Sequence, residues 1–262
     1  MNESIASPVR VSIVTAVYNR VATIGQAIES VQAQSYQHIE HVIQDGGSTD
    51  GTLDVVHRLA TPQTSTESTS DKGIYDAINR GIMRSSGEVI GLMHSDDFFA
   101  HDGVLAMVAD ALSDPNFDGV YGDLQYVSAQ DTSRIVRHWH SGEYQPAKLR
   151  FGWMPPHPTL YLRREVFERW GLYDTTFRIA ADYDAVLRYL IKGNIKLAYI
   201  PEVLVKMRVG GESNRSLARI VLKSREDLQA LRRNGVGGVG TLTLKNLGKL
   251  NQFFNRSGKC VV

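Results

Sequence analysis

The strongest constraint on this fold is a pattern repeated along its first hundred residues. A short apolar, β-branched run ends in a polar loop, and the loop leads into an amphipathic helix. Residues 9–17 (VRVSIVTAV) are bounded by Pro8 and Tyr18-Asn19 and read as a strand buried on both faces. Val21, Ile24, Ala27, Ile28 and Val31 then recur at helical spacing, with Asn19 as a candidate N-cap. Residues 39–44 (IEHVIQ) form a second strand, which stops at the glycine-rich turn from Asp45 to Gly51. Leu53, Val56 and Leu59 mark the next helix. Such alternation predicts βαβ units, and hence an α/β fold with a Rossmann-like, mostly parallel sheet flanked by helices.

The pattern continues. Residues 61–70 (TPQTSTESTS) read as a solvated loop. A third helix is expected over 71–86, with Ile74, Ala77, Ile78, Ile82 and Met83 on its apolar face. Residues 89–93 (VIGLM) form a central strand that runs directly into His94-Ser95-Asp96-Asp97. Further elements are a helix over 102–112, strands over 119–121 and 124–127, and a proline-broken, aromatic-rich shaped loop over 141–158. A strand over 159–162, helices over 164–170 and 183–191, and strands over 195–200 and 203–209 follow. From Ser216 the chain reads as a helical, basic C-terminal extension as far as the glycines at 235–240.

Composition narrows the function classes. With 42% hydrophobic and 22% charged residues, the 262-residue chain has material for a sizeable core. The 29 basic and 28 acidic residues leave a formal charge of +1, which argues against a dedicated nucleic-acid binder. The single cysteine, Cys260, excludes an intrachain disulfide or a cysteine metal cluster and fits a reducing compartment. No apolar stretch reaches the roughly 18–20 residues of a spanning helix. Met1-Asn2-Glu3-Ser4 does not open a signal peptide. The expected location is the cytoplasm, with contact to the inner membrane face open.

Several residues carry chemistry. Asp96 and Asp97 stand at the carboxyl end of a central parallel strand, where open α/β sheets bind ligands. Two hard oxygen donors there suit Mg²⁺ or Mn²⁺, which holds phosphate and acts as a Lewis acid on a departing diphosphate. The competing role, capping the next helix, is disfavoured by the strand that precedes them. Asp45 ends another strand and suits a base or ribose; an Asx-turn is its alternative. Asp182 begins a helix and reads either as its N-cap or as a general base. Asp184 and Arg188, at i and i+4, pair on the surface or beneath the site. Lys72, at a loop-to-helix entry, suits phosphate, whereas Arg80 reads as a solvated face. His157, among prolines, is a contact for diphosphate or acceptor, or a buried structural histidine. His94 has no second histidine at ligand spacing, so no zinc site is expected around it. The basic amphipathic stretch 215–233 lies on a membrane or packs on the domain. Leu242, Leu244, Leu247, Leu250, Phe253 and Phe254 among lysines strengthen the membrane reading.

Taken in order, these motifs resemble the GT-A-fold glycosyltransferases of family 2, in particular those of bacterial exopolysaccharide, O-antigen and colanic-acid-type pathways. The likeness runs over roughly residues 9–210. It comprises Val11 to Asn19, Gln44 to Thr52, Asp71 to Gly81, Ser86 to Gly91 leading to Ser95-Asp96-Asp97, His157-Pro158-Thr159, and Ala181 to Arg188. The resemblance implies an inverting, metal-dependent transfer from a nucleotide diphosphate sugar, a UDP-sugar above all. The acceptor it implies is a glycan or a polyprenyl-diphosphate-linked oligosaccharide. Thr15, Tyr18, Asn19, Asp45, Lys72 and Asp96 match nucleotide-sugar-binding positions. Asp97 matches the metal-binding aspartate for Mn²⁺ or Mg²⁺, and Asp182 the catalytic base. Gln44 and Ala181 stand where many members carry acids. The implied division is a GT-A domain over 1–214, with a nucleotide half at 9–100 and an acceptor half at 101–214, followed by the extension 215–262. Two competing readings are weaker. A sugar-1-phosphate nucleotidyltransferase needs a GxGxRL-like loop where Ala16-Val17-Tyr18-Asn19-Arg20 stands. A non-catalytic nucleotide-sugar-binding scaffold is expected to have lost Asp97 and Asp182, and both are present.

Overall fold

The structure is a computed structural model that describes residues 8–209 and 217–254. Cys260 and the side chains of Leu250, Phe253 and Phe254 lie outside the described residues. The elements in chain order are β1 (Val11–Val17), α1 (Ile24–Gln32), β2 (Ile39–Asp45), α2 (Thr52–Leu59), β3 (Thr64–Ser68), α3 (Ile74–Arg84), β4 (Val89–Leu92), β5 (Phe98–Phe99) and α4 (Val104–Ala111). Then follow β6 (Gly119–Val127), β7 (Ile135–Trp139), 3₁₀ turns at Pro146–Phe151 and His157–Thr159, β8 (Tyr161–Arg163), α5 (Arg164–Trp170), α6 (Ala181–Ile191), β9 (Leu197–Arg208), α7 (Leu217–Arg233) and α8 (Val239–Phe254).

One sheet carries the order β3-β2-β1-β4-β8-β6-β9-β5, and β7 shares with β8 one edge of β6. The first four strands in this order are parallel, with Val17 beside Asp45 at the end of β1 and β2. Their carboxyl ends therefore form one rim. Beyond β4 the sheet becomes mixed: β8 is antiparallel to both β4 and β6, β6 and β9 are parallel, β5 is antiparallel to β9, and β7 is antiparallel to β6. Helices cover both faces, as expected. Side chains of α3, α5, α6 and α7 build one core with Val14, Ile90 and Tyr121. Side chains of α1 and α4 build the other with Ile13, Val120 and Tyr161.

The sequence periodicity located most elements and missed three strands. Residues 64–68 are a strand, not a loop: β3 is a polar edge strand, and its backbone pairs with β2 although its side chains alternate only between half-buried and exposed. β5 has two residues, and β7 lies half exposed without a clear apolar alternation. Asn19 is not an N-cap. It sits in the left-handed region (φ 50°), and α1 begins five residues later behind Thr23. Helix α3 starts at Ile74 because Gly73, at φ 120°, separates it from the preceding loop.

At the amino ends of β1, β2 and β4, Glu40 is a buried junction. Its carboxylate accepts hydrogen bonds from the Ser12 hydroxyl and from the hydroxyl and backbone N–H of Ser86. The Gly87 N–H adds another (3.1 Å), and Arg10 pairs with the same group (3.2 Å). Burial raises its pKa, but these bonds outweigh burial and hold it below the ordinary range. Glu40→Ala strands several buried donors. Thermal unfolding is expected to show a loss of about 2–4 kcal/mol, a fall in Tm of roughly 5–15 °C.

Candidate active site

The site is built along the rim where β1, β2 and β4 end. On its first side, loop 18–20 is tied to loop 45–52. Asn19 N–H donates to Ser48 Oγ (2.8 Å), Thr49 N–H donates to Asn19 Oδ1 (2.9 Å), and Arg20 N–H donates to Thr52 Oγ1 (2.8 Å). Asp45 organises this loop from below. It is fully buried and accepts from the N–H groups of Gly47 and Ser48 (both 2.9 Å) and from the hydroxyls of Ser48 and Ser68. Burial raises its pKa, and these donors more than compensate, keeping it ionised. Thr15 is also fully buried, its hydroxyl on His41 Nε2 (2.9 Å), so its side chain gives no surface to a ligand. Tyr18 is exposed at the rim, as is Lys72 at the entry to α3.

Asp96 and Asp97 follow β4 and face different surroundings. Asp96 is partly exposed. Asp97 is fully buried; its Oδ1 accepts from the Arg208 N–H (3.1 Å), and its Oδ2 has no hydrogen-bond partner. Burial, and then the neighbouring Asp96 charge, push the Asp97 pKa well up, against the pull of Arg208. The Arg208 guanidinium ties this turn to β9 and α1 through the Asp96 carbonyl and Gln26 Oε1. An orphaned, buried carboxylate oxygen beside a partly exposed carboxylate fits a hard divalent cation.

Across the rim stands Asp182, in the first turn of α6. It does not cap that helix. The backbone leading into α6 is held instead by Glu226 of α7, whose carboxylate accepts from the N–H groups of Arg178 (2.9 Å), Ile179 (2.8 Å) and Ala180 (2.9 Å). Asp182 Oδ1 lies 3.1 Å from the Tyr75 hydroxyl, whose nearer acceptor is the Ile179 carbonyl (2.7 Å). Tyr75 stacks on Tyr173 (centroids 5.9 Å apart), Tyr173 hydroxyl meets His157 Nε2 (2.9 Å), and His157 lies 5.9 Å from the His94 ring. Burial raises the pKa of Asp182, but Lys223, the Tyr183 N–H and Lys245, joined by His157 once that ring is protonated, lower it further than burial raises it, so it is a carboxylate at neutral pH. Burial lowers the pKa of His94, and the charges of Asp96 and Asp182 act against that lowering. Asp184 pairs with Arg188 (3.7 Å) beneath the site and accepts from Asn234 of α7 (3.0 Å).

Asp182 opens onto a cavity of about 200 Å³. Its walls are aromatic (Trp139, Phe151, Trp153) and basic (Arg137, His140, Lys223), and Lys245 of α8 closes it. Lys245 is buried, 3.0 Å from Asp227 and 3.1 Å over the Tyr183 ring. Gly152, at φ 81°, lets the loop approach α8 so closely that a Cβ there would strike Lys245.

The sequence candidates therefore divide. Asp182 lines the cavity, and Asp96 and His157 lie toward it through His94, whose ring is 5.9 Å from that of His157. Tyr18, Asn19 and Lys72 lie on the loops of the rim. Thr15 and Asp45 lie beneath it, and Asp97 is turned into the protein. His157 is a buried, hydrogen-bonded histidine at the floor. Tyr75, Tyr173, Lys223, Lys245 and Glu226 were not anticipated. Tyr75 sits inside the Asp71-to-Gly81 motif, which was its only signal.

In an open α/β sheet, acids on the strand-end rim lie where ligands bind. Glycosyl transferase family 2, as a family model, matches residues 12–180. The chain belongs to that family and is a glycosyltransferase. It is 28% identical over 217 residues to a PGL/p-HBAD biosynthesis glycosyltransferase of Mycobacterium bovis, covering 81% of this chain and 82% of that one. It is 30% identical over 180 residues to an uncharacterized glycosyltransferase of Mycobacterium tuberculosis, covering 68% of each. Among solved structures, the mannosyltransferase PcManGT of Pyrobaculum calidifontis, in complex with GDP-Man and Mn²⁺, superposes with TM-score 0.67 at 18% identity. That match covers 96% of this chain and 77% of that one. The 1–349 portion of S. aureus TarS in complex with UDP-GlcNAc superposes with TM-score 0.64 at 16% identity, covering 95% and 73%. The chain spans only 44% of the longer TarS chain and 23% of a similar Pasteurella multocida hyaluronan synthase.

Two buried imidazoles give the fold a pH dependence. Burial lowers the pKa of both His41 and His157 to about 4. Below pH ~6.5 the unfolded chain binds protons at these positions and the folded chain does not, so stability falls as pH drops from there to about 4 and levels off below. Each contributes on the order of 3 kcal/mol over that window. Urea midpoints measured from pH 7.5 to 4.5 are expected to fall, and His157→Gln is expected to make that fall shallower.

Proposed function

We propose that the chain transfers a glycosyl unit, with inversion, from a nucleotide diphosphate sugar to a hydroxyl of an anionic glycan or lipid-diphosphate-linked oligosaccharide. The observation that carries this reading is the setting of Asp182: an ionised carboxylate beside Tyr75, at the mouth of an aromatic and basic cavity.

In this mechanism the nucleotide lies along the rim between Tyr18, Asn19 and Lys72, with its diphosphate toward Asp96. Asp96, together with the orphaned Oδ2 of Asp97, would hold Mn²⁺ or Mg²⁺, which supplies Lewis-acid stabilisation of the departing diphosphate. Asp96, rather than Asp97 alone, is assigned to the open side because it is the carboxylate with exposed surface. The acceptor hydroxyl enters from the cavity and passes its proton to Asp182. Its oxygen bonds to the anomeric carbon as the bond to the diphosphate oxygen breaks, and the nucleoside diphosphate leaves with that electron pair. One carboxylate on the acceptor side supports a single displacement, and hence inversion.

The cavity suggests the acceptor class. Trp139, Phe151 and Trp153 offer flat faces for sugar rings, and Lys223, Arg137 and His140 favour phosphate or carboxylate. Helix α8 turns Val239, Leu244 and Leu247 outward, which supports contact with a lipid surface during bacterial surface-polysaccharide synthesis. Among the described residues no helix is long and apolar enough to cross a membrane. On this reading residues 9–100 form the donor half and 101–214 the acceptor half, and 215–262 complete the acceptor side.

Asp182→Asn is expected to lower kcat by roughly 10²–10⁴-fold with donor binding unchanged, measured by transfer assay and by the thermal shift on adding nucleotide. Loss of donor binding as well would assign Asp182 to folding. Asp96→Asn is expected to abolish the metal-dependent part of the thermal shift produced by UDP or GDP. A shift that persists in that variant removes Asp96 from the metal site. Lys223→Ala is expected to raise KM for an anionic acceptor roughly 3–10-fold at nearly constant kcat, the effect of one partly exposed charge.

A further inference from the structure

A second cluster of ligating side chains stands outside the strand-end rim. In the β6–β7 hairpin, Leu124 pairs with Trp139 and Gln125 with His138. Continued by one residue, that register sets His140 opposite Asp123. His138, two residues earlier on the same strand, projects to the same face. The side chains meet accordingly. Asp123 Oδ2 lies 2.7 Å from His140 Nδ1 and 3.5 Å from His138 Nε2, and the two rings stack with centroids 4.0 Å apart. All three ligating atoms fall within 4.8 Å of one another.

We propose that Asp123, His138 and His140 form a binding site for a divalent transition metal of the zinc class, separate from the Asp96-Asp97 pair. Four observations carry this. Two imidazole nitrogens and one carboxylate oxygen are a donor set that selects Zn²⁺-like ions over Mg²⁺, which prefers all-oxygen surroundings. Tetrahedral zinc with bonds of about 2.0–2.1 Å places its ligand atoms about 3.3 Å apart, close to the His138–Asp123 separation. The shorter His140 contact opens by a small turn of a ring whose side chain is 75% exposed. Finally, the carboxylate is already fixed for the role. Asp123 is buried, and its other oxygen, Oδ1, accepts from the Ser141 N–H (2.9 Å) and the Tyr199 hydroxyl (2.8 Å), the outer support that metal-binding carboxylates require.

Three protein ligands leave at least one position open to water or to an oxygen of a bound molecule. His140 also lines the cavity at Asp182, so a metal here would stiffen β7 as a wall of that cavity and add a positive charge beside it. The site stands on its own geometry and does not depend on the donor or acceptor assignments.

The test uses the full chain without an affinity tag, stripped with chelator and desalted. Zn²⁺ binding is measured by competition against a chromophoric chelator, and Co²⁺ is read by its visible absorption. Wild type is expected to bind one equivalent of Zn²⁺ with micromolar or tighter affinity, to raise its Tm with zinc, and to give tetrahedral Co²⁺ bands. His138→Ala and His140→Ala are expected to weaken that binding at least tenfold and to lose the bands. Asp96→Asn is expected to retain both. His140→Gln keeps a hydrogen-bonding group beside Asp123 but has no imidazole, and it is expected to behave like the alanine variant with an unchanged circular dichroism spectrum. Zinc affinity unchanged in the histidine variants, or lost only in Asp96→Asn, would overturn the proposal.

Discussion

Asp182, the proposed general base, follows a loop that is held by another carboxylate, Glu226, far away in sequence. Glu226 gathers the N–H groups of residues 178–180 and so pins the loop that enters α6. The Ala180 N–H is buried, and leaving it unpaired would cost on the order of 1–3 kcal/mol. With that loop held by α7, Asp182 stands beside Tyr75. The cap position falls on Ala180 and not on Asp182.

The same helix fixes the site in two further ways. Asn234 at the end of α7 donates to buried Asp184, and Arg233 reaches Asp174 in the loop before α6. Asp227 binds Lys245 and so joins α8 to α7, while Lys245 sits over Tyr183, the neighbour of Asp182. A basic amphipathic stretch that reads equally as a surface helix has its acids turned inward. Those acids, Glu226 and Asp227, bind it to the domain and bring Lys223 and Lys245 to the cavity. Its charge is part of the site's electrostatics, since these two lysines help to keep Asp182 ionised.

How far the sequence reveals this arrangement depends on which signal each part leaves. Strands buried on both faces, such as VSIVTAV and VIGL, are unmistakable because every position is apolar or small, and the acids near their ends mark the rim. The same burial hides side-chain direction. With no polar alternation to show parity, nothing in β1 tells that Thr15 points to His41 and away from the rim. Nor does an Asp-Asp pair reveal which member faces outward. β3 is invisible for the opposite reason: TSTES owes its extended form to backbone pairing with β2, and its side chains are those of a loop. His138 and His140 are spaced for one face of a strand, but the strand itself was not recognised, and Asp123 joins them only through the hairpin register.

The two acidic turns at the strand ends show how similar residues acquire different work. Asp45 and Asp97 are both fully buried at the ends of parallel strands. Asp45 is met by two backbone N–H groups and two hydroxyls, which hold its charge and leave it little capacity for another partner. Asp97 receives one backbone N–H and keeps an oxygen unpaired. A buried carboxylate in that condition is costly unless something outside the chain completes it. The loop at Asp45 is therefore a finished structural unit. The turn at Asp96-Asp97 is unfinished by the protein alone, which agrees with the cation site proposed there.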